Sequence, residues 1–127
     1  MNVWPFHHKT RILAIDDEAG FTRLLQLAAA QYEVRGENDP LRAIETAKEF
    51  KPDLILLDRI MPGMTGDKLA VSFKRHPQLK DIPIAFLTAT PPDGEDGSTH
   101  TFRGCPVLAK PVTMEAINRC VQECVKR

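Results

Sequence analysis

The sequence predicts an α/β fold, a parallel sheet covered by helices on both faces, and three observations carry that prediction. Short apolar segments of strand character alternate with segments of helical period along most of the 127 residues. One of them, Leu54-Ile55-Leu56-Leu57, has no polar break, as a strand buried on both faces of a parallel sheet requires. Polar residues then stand directly after the strands, at the edge where open α/β sheets place their chemistry.

The elements follow in order. Arg11 to Ile15 reads as a short strand that stops at Asp16-Asp17-Glu18. Phe21, Leu24, Leu25, Ala28 and Ala29 form a helical stripe expected to face the sheet. Tyr32 to Arg35 is a brief second strand. Asp39-Pro40 opens a helix with a capping carboxylate and a first-turn proline, and Leu41, Ile44 and Ala47 are its expected buried face. Asp53 to Leu57 is the third strand. Gly66 to Arg75 is the next helix, with Leu69, Ala70 and Phe73 inward and Pro77 as its stop. Ile82 to Leu87 is the fourth strand, with Pro83 near its first residue, where a missing N–H is tolerated. Val107-Leu108-Ala109 is the fifth, and Thr113 caps a last helix from Met114 to Lys126. Between the last two strands, Pro91-Pro92-Asp93-Gly94-Glu95-Asp96-Gly97-Ser98 breaks helical period repeatedly, and no large apolar residue appears before Phe102. A loop with at most a turn or two of helix is expected there.

Composition narrows the class. The chain is of single-domain size, 43% hydrophobic and 27% charged, as globular domains are. Seventeen basic residues balance seventeen acidic ones, so no overall field favours nucleic acid or anionic lipid. No apolar run approaches the ~20 residues of a membrane span. The start, through Trp4, Phe6, His7 and His8, lacks a signal-peptide core, so a cytoplasmic location is expected. Two adjacent histidines point apart and do not suggest a metal site. Cys120 and Cys124 are one turn apart, yet Met114, Ile117, Cys120, Val121, Cys124 and Val125 make one apolar stripe. Core packing of reduced thiols is therefore the reading for these two.

Asp16 and Asp17 follow the first strand, Asp58 the third, Thr88 the fourth and Lys110 the fifth. In a parallel sheet these ends converge on one crevice. Three carboxylates gathered there resist ionising together unless a proton or a hard dication joins them, and an oxygen-only set suits Mg²⁺. A carboxylate flanked by a divalent ion, an ammonium and a hydroxyl has the parts for phosphoryl transfer, with Asp58 as nucleophile. Taken singly, Asp16-Asp17 could cap a helix, Asp58 form a turn and Lys110 be a solvated charge; all five arriving at strand ends is less easily explained so.

The motifs Ile12-Leu13-Ala14-Ile15-Asp16-Asp17-Glu18, Leu54 to Asp58 with Met61-Pro62 and Gly66, Ile82-Pro83-Ile84 leading to Leu87-Thr88-Ala89, and Leu108-Ala109-Lys110-Pro111 resemble those of response regulator receiver domains of bacterial two-component signalling. The resemblance runs from about residue 10 to the C-terminus, so residues 1–9 are expected to be an extension and 10–127 the receiver domain. It implies a flavodoxin-like, doubly wound, five-stranded parallel sheet in the order 2-1-3-4-5, here with a degenerate fourth helix. It implies that Asp58 accepts a phosphoryl group from a histidine kinase or a histidine phosphotransfer protein. Asp16, Asp17, Asp58 and the backbone carbonyl of Ile60 would hold Mg²⁺; Thr88 and Lys110 would contact the phosphoryl oxygens; the bond before Pro111 would be cis. An unidentified downstream protein would read the phosphorylated state, with no nucleic acid or membrane bound by this chain.

Some positions depart from the family. The switch position three before the lysine, aromatic in most receivers, is Val107. The residues two after the acceptor and two after the threonine, which help place an attacking water, are Ile60 and Thr90, so slow self-dephosphorylation is expected. Arg59 stands where many relatives carry an apolar residue and reads as a solvated loop charge, with a kinase-contact residue as the alternative. A degenerate receiver used as a scaffold is kept alive by Val107 and the broken helix. An aspartate-nucleophile phosphatase would carry a second acid where Ile60 stands. A nucleotide-binding flavodoxin-like protein would need a glycine-rich loop after the first strand, and none follows it.

Overall fold

The computed structural model describes residues 9–89, the backbone of 100–102, and 105–125. The elements are β1 (Arg11–Ile15), α1 (Ala19–Ala28), β2 (Glu33–Glu37), a 3-10 turn (Pro40–Arg42), α2 (Ala43–Phe50), β3 (Leu54–Asp58), α3 (Gly66–Arg75), β4 (Ile84–Thr88), β5 (His100–Phe102), β6 (Cys105–Ala109) and α4 (Met114–Cys124). The sheet order is β2-β1-β3-β4-β6-β5, and the first five strands in that order are parallel. The expected 2-1-3-4-5 arrangement is therefore present. One strand was not expected: β5 pairs antiparallel with β6 and extends the sheet by an edge. The loop expected over 91–98 lies outside the described residues, as do Trp4, Phe6, His7, His8 and Thr90. No helix lies between β4 and β6 among the described residues.

The period of two in the strands sorts their side chains into two cores. Leu13 and Ile15 of β1, Ile55 and Leu57 of β3, and Ile84 and Phe86 of β4 face α2 and α3, where Ala47, Phe50, Leu69 and Phe73 meet them. Ile12, Ala14, Leu54, Leu56, Ala85 and Leu87 face the other way, toward Leu25, Ala29, Ile117 and Cys120 of the α1 and α4 layer. Every residue of β3 and β4 is buried, which is why those strands lack polar alternation. Cys120, Cys124 and their neighbours on α4 pack in the second core as expected. The three cysteines are free thiols. Burial pushes the Cys120 thiol up to about 12, so it packs as a small hydrophobe.

Two expected helix faces need correction. Leu24 is 65% exposed and Ala28 faces solvent; α1 instead turns Thr22, Leu25 and Ala29 to the sheet. The cause is Gly36 in β2. A side chain there would meet Thr22 Cβ at 2.7 Å, so the glycine lets the Thr22 edge of the helix settle closest. Leu41 is 75% exposed, because it lies in the 3-10 turn ahead of α2, where Pro40 is the buried residue. The cap itself is as expected, with Asp39 Oδ1 accepting from Leu41 N at 3.0 Å.

Candidate functional site

The C-terminal ends of β1, β3, β4 and β6 open into a cleft of about 590 Å³ lined by Asp17, Glu18, Asp58, Ile60, Met61, Pro62, Thr88, Ala89 and Lys110. Asp16 directly follows β1 and is fully buried. Its N–H donates to Glu37 O at 3.1 Å, its Oδ1 accepts from Glu18 N at 2.9 Å, and its own carbonyl accepts from Asn38 Nδ2 at 2.8 Å. Those bonds tie the turn after β1 to the end of β2. Asp17, next along, is exposed to the cleft.

Asp58 is the last residue of β3, paired in register with Leu87 of β4, and 7% exposed. The chain beyond it is held tightly. Arg59 N donates to Leu87 O at 3.1 Å, Ile60 N to Asp58 Oδ1 at 3.3 Å, and Gly66 N to Arg59 O at 2.8 Å. Gly63 turns this loop with φ +82°, a conformation glycine adopts freely. Gly66 brings the first turn of α3 against the strand end; a Cβ there would lie 2.3 Å from Asp58 O and 2.8 Å from Arg59 Cα. Arg59 is not simply a solvated charge, since its guanidinium lies 3.6 Å from Asp67 Oδ1.

One carboxylate oxygen from each of Asp16, Asp17 and Asp58 lies within 4.8 Å of the others. Burial raises the Asp58 carboxyl above the usual range, and the charge of Asp16 adds to that; the Ile60 N–H and Lys110 oppose it in part. Lys110 Nζ lies 2.5 Å from Asp16 Oδ2, 3.5 Å from Glu18 Oε1 and 3.8 Å from Asp58 Oδ2. Burial would lower this ammonium, but the bond to Asp16 and the surrounding acids outweigh it and leave it raised, hence charged at neutral pH. Thr88, 4% exposed, ends β4 beside Ala109 of β6, and its carbonyl accepts from Lys110 N at 2.9 Å. The Lys110–Pro111 bond is cis. Val107 is buried on the α2 and α3 side of the sheet.

The strand-end residues singled out in the sequence thus occupy one cleft. Two others were missed: Glu18 contacts Lys110, and the Phe21 ring lies under the ammonium, with its centroid 4.7 Å from Nζ. An aromatic residue in the first turn after a strand-end acid pair can face the crevice as well as the core. An all-oxygen donor set of this size can hold a hard dication, and the nearby ammonium can receive anionic oxygens.

This fold and this cleft define a class, a doubly wound α/β domain with an acidic crevice at the C-terminal ends of its parallel strands. The chain belongs to the response regulator receiver domain family, whose model matches residues 12–122. It is 39% identical over 104 residues to the response regulator PleD of Caulobacter vibrioides, covering 80% of this chain and 23% of that protein. It is 41% identical over 80 residues to the phosphate regulon regulatory protein PhoB of Pseudomonas aeruginosa, covering 61% of this chain and 35% of that one. The chain thus spans well under half the length of these relatives. Among solved structures, Vibrio cholerae chemotaxis protein CheY4 superposes with a TM-score of 0.76 at 25% identity, over 93% of this chain and 100% of that one. The Mn²⁺-bound form of response regulator Rcp1 superposes with a TM-score of 0.56 at 28% identity, over 66% and 68%. No helix among the described residues is long and apolar enough to cross a membrane.

Proposed function

We propose that residues 10–127 act as a phosphoacceptor module, with Asp58 taking a phosphoryl group from a histidine kinase or a histidine phosphotransfer protein. The observation that carries the reading is the cluster of Asp16, Asp17 and Asp58 oxygens within 4.8 Å, with a lysine ammonium 3.8 Å from the acceptor. An Asp58 oxygen attacks phosphorus and forms an acyl phosphate. The bond from phosphorus to the donor breaks, and the donor leaves with the electron pair. Lys110 receives the phosphoryl oxygens as a fixed positive charge, and the Thr88 hydroxyl, at the cleft wall, is assigned a hydrogen bond to them.

Asp16, Asp17, Asp58 and the Ile60 carbonyl would hold Mg²⁺. The raised Asp58 carboxyl and the oxygen-only donor set both fit a hard dication, and the manganese-bound state of the relative Rcp1 accords with that. Bound there, the ion supplies charge neutralisation at the phosphoryl oxygens. The module turns over no substrate of its own. Its output is phosphorylation-dependent binding of a protein, expected in the cytoplasm. Ile60, 77% exposed at the cleft, offers no acid or amide to orient water, which supports a long-lived adduct.

Incubation with Mg²⁺ and acetyl phosphate, followed by intact mass, tests the reading. One phosphate adduct is expected, absent from Asp58→Asn; an unmodified wild-type chain would refute it. A scaffold that is never phosphorylated is the second reading. It is favoured by one observation, the buried valine at position 107, which cannot make the ring movement of the family's switch.

A further inference from the structure

We propose that Phe21 is a positioning residue for Lys110, its ring confining the ammonium at the acidic cleft; this rests on the phosphoacceptor reading above. Among the described residues, Lys110 Nζ lies near four groups: Asp16 Oδ2 at 2.5 Å, Glu18 Oε1 at 3.5 Å, Asp58 Oδ2 at 3.8 Å and the Phe21 ring centroid at 4.7 Å. Three of the four come from one stretch of chain, the end of β1 and the first turn of α1. Of these four, Asp58 comes from the end of β3. The lysine is therefore held chiefly from the β1 side, and what holds it decides how freely it can meet a phosphoryl group on β3.

An ammonium carries three N–H donors. Asp16, fully buried, takes the nearest. Glu18 is 69% exposed at its side chain, so a lysine held by carboxylates alone would be drawn outward and its donors contested. An aromatic face attracts a cation through its quadrupole while carrying no net charge. Phe21 can thus fix the ammonium without competing for the anionic oxygens it must receive. The Lys110 side chain is 15% exposed, with the Phe21 ring among the groups against its ammonium. The backbone sets the ring there: Phe21 N donates to Glu18 O at 3.1 Å, starting α1, while the side chain leans half-buried on the second core. Leucine would preserve that packing and lose the quadrupole.

The test compares initial rates of Asp58 phosphorylation in wild type, Phe21→Leu and Phe21→Tyr, across acetyl phosphate concentrations at fixed Mg²⁺. Phe21→Leu should lower the rate at saturating donor by roughly three- to tenfold, the size expected for a partly desolvated cation–π contact. The half-saturating donor concentration and the melting temperature should stay near wild type, and Phe21→Tyr should restore the rate. A Phe21→Leu rate equal to wild type overturns the proposal, and so does an equal loss in the leucine and tyrosine variants. Incorporating progressively fluorinated phenylalanines at position 21 keeps the shape and weakens the quadrupole. The rate should fall along that series, and a constant rate overturns the proposal even if Phe21→Leu does not fold. A wild-type chain that gains no phosphate, or an Asp58→Asn variant that does, defeats the phosphoacceptor reading itself, and the role of Phe21 with it.

Discussion

At the scale of single residues, the cleft concentrates negative charge that the native chain must hold together. Asp58 has its carboxyl raised by burial and by Asp16, so the folded protein binds that proton more tightly than the unfolded chain. Stability contributed by this group is present at low pH and is lost as pH rises from the ordinary carboxylate range, about 4, through the raised folded value. Asp58→Asn should therefore melt higher than wild type at neutral pH without divalent ions. The difference should level off below about pH 4, where both states of the wild type are protonated. Thermal melts across pH check this, and a variant that melts lower than wild type at pH 7 contradicts it. Ile60 gives a second residue-scale prediction. Replacing it by glutamate or glutamine, which can hold a water, should shorten the life of the phosphorylated state several-fold. Following adduct mass against time measures that, and loss of the wild-type adduct within seconds would mean that Ile60 does not protect it.

At the scale of elements, the approach of α3 to the end of β3 depends on one missing side chain. Gly66→Ala would place a Cβ 2.3 Å from Asp58 O, against backbone that has no free rotation to yield. We expect it to destabilise the fold by about 1–3 kcal/mol, as overpacking does, and to slow phosphorylation because Asp58 is displaced. Chemical denaturation and the acetyl phosphate assay read the two effects. Thr113→Ala removes the hydroxyl that accepts from Ala116 N at 3.1 Å, at the start of α4 and far from the acids along the chain. It should cost about 1 kcal/mol and leave the phosphorylation rate unchanged.

The elements also show why some of the design could be read from the chain and some could not. Asp16, Asp58, Thr88 and Lys110 sit at or just past the ends of apolar runs, so strand ends located them. Leu24 and Leu25 are adjacent apolar residues on a helix, and sequence period cannot say which one faces the sheet. Gly36, on another strand, decides it through its contact with Thr22. The strand His100–Phe102 needed a pairing partner, supplied by the start of β6, that no local period announces. Phe21 reads as core because it is apolar at the expected spacing; its second face, toward Lys110, depends on where β6 ends.

At the scale of the whole molecule, the fold keeps the acidic cleft while changing what lies beside it. The edge of the sheet next to β6 is a short antiparallel strand, and Val107 is packed into the core. A signal leaving the cleft has no ring at position 107 to move, so the response should centre on the loops after β1, β3 and β4. A dication bound by the native cleft and not by the unfolded chain must stabilise the fold. At a concentration 100 times its dissociation constant it should add about 2.7 kcal/mol, and this gain should shrink in Asp17→Asn.

Capture of phosphate by one carboxylate among these acids is tested by borohydride trapping of the acyl phosphate followed by peptide mapping. The expected result is a single reduced residue, at position 58, formed with Mg²⁺ and acetyl phosphate and abolished by chelation. Reduction at Asp16 or Asp17 instead, or none anywhere with magnesium present, would contradict it.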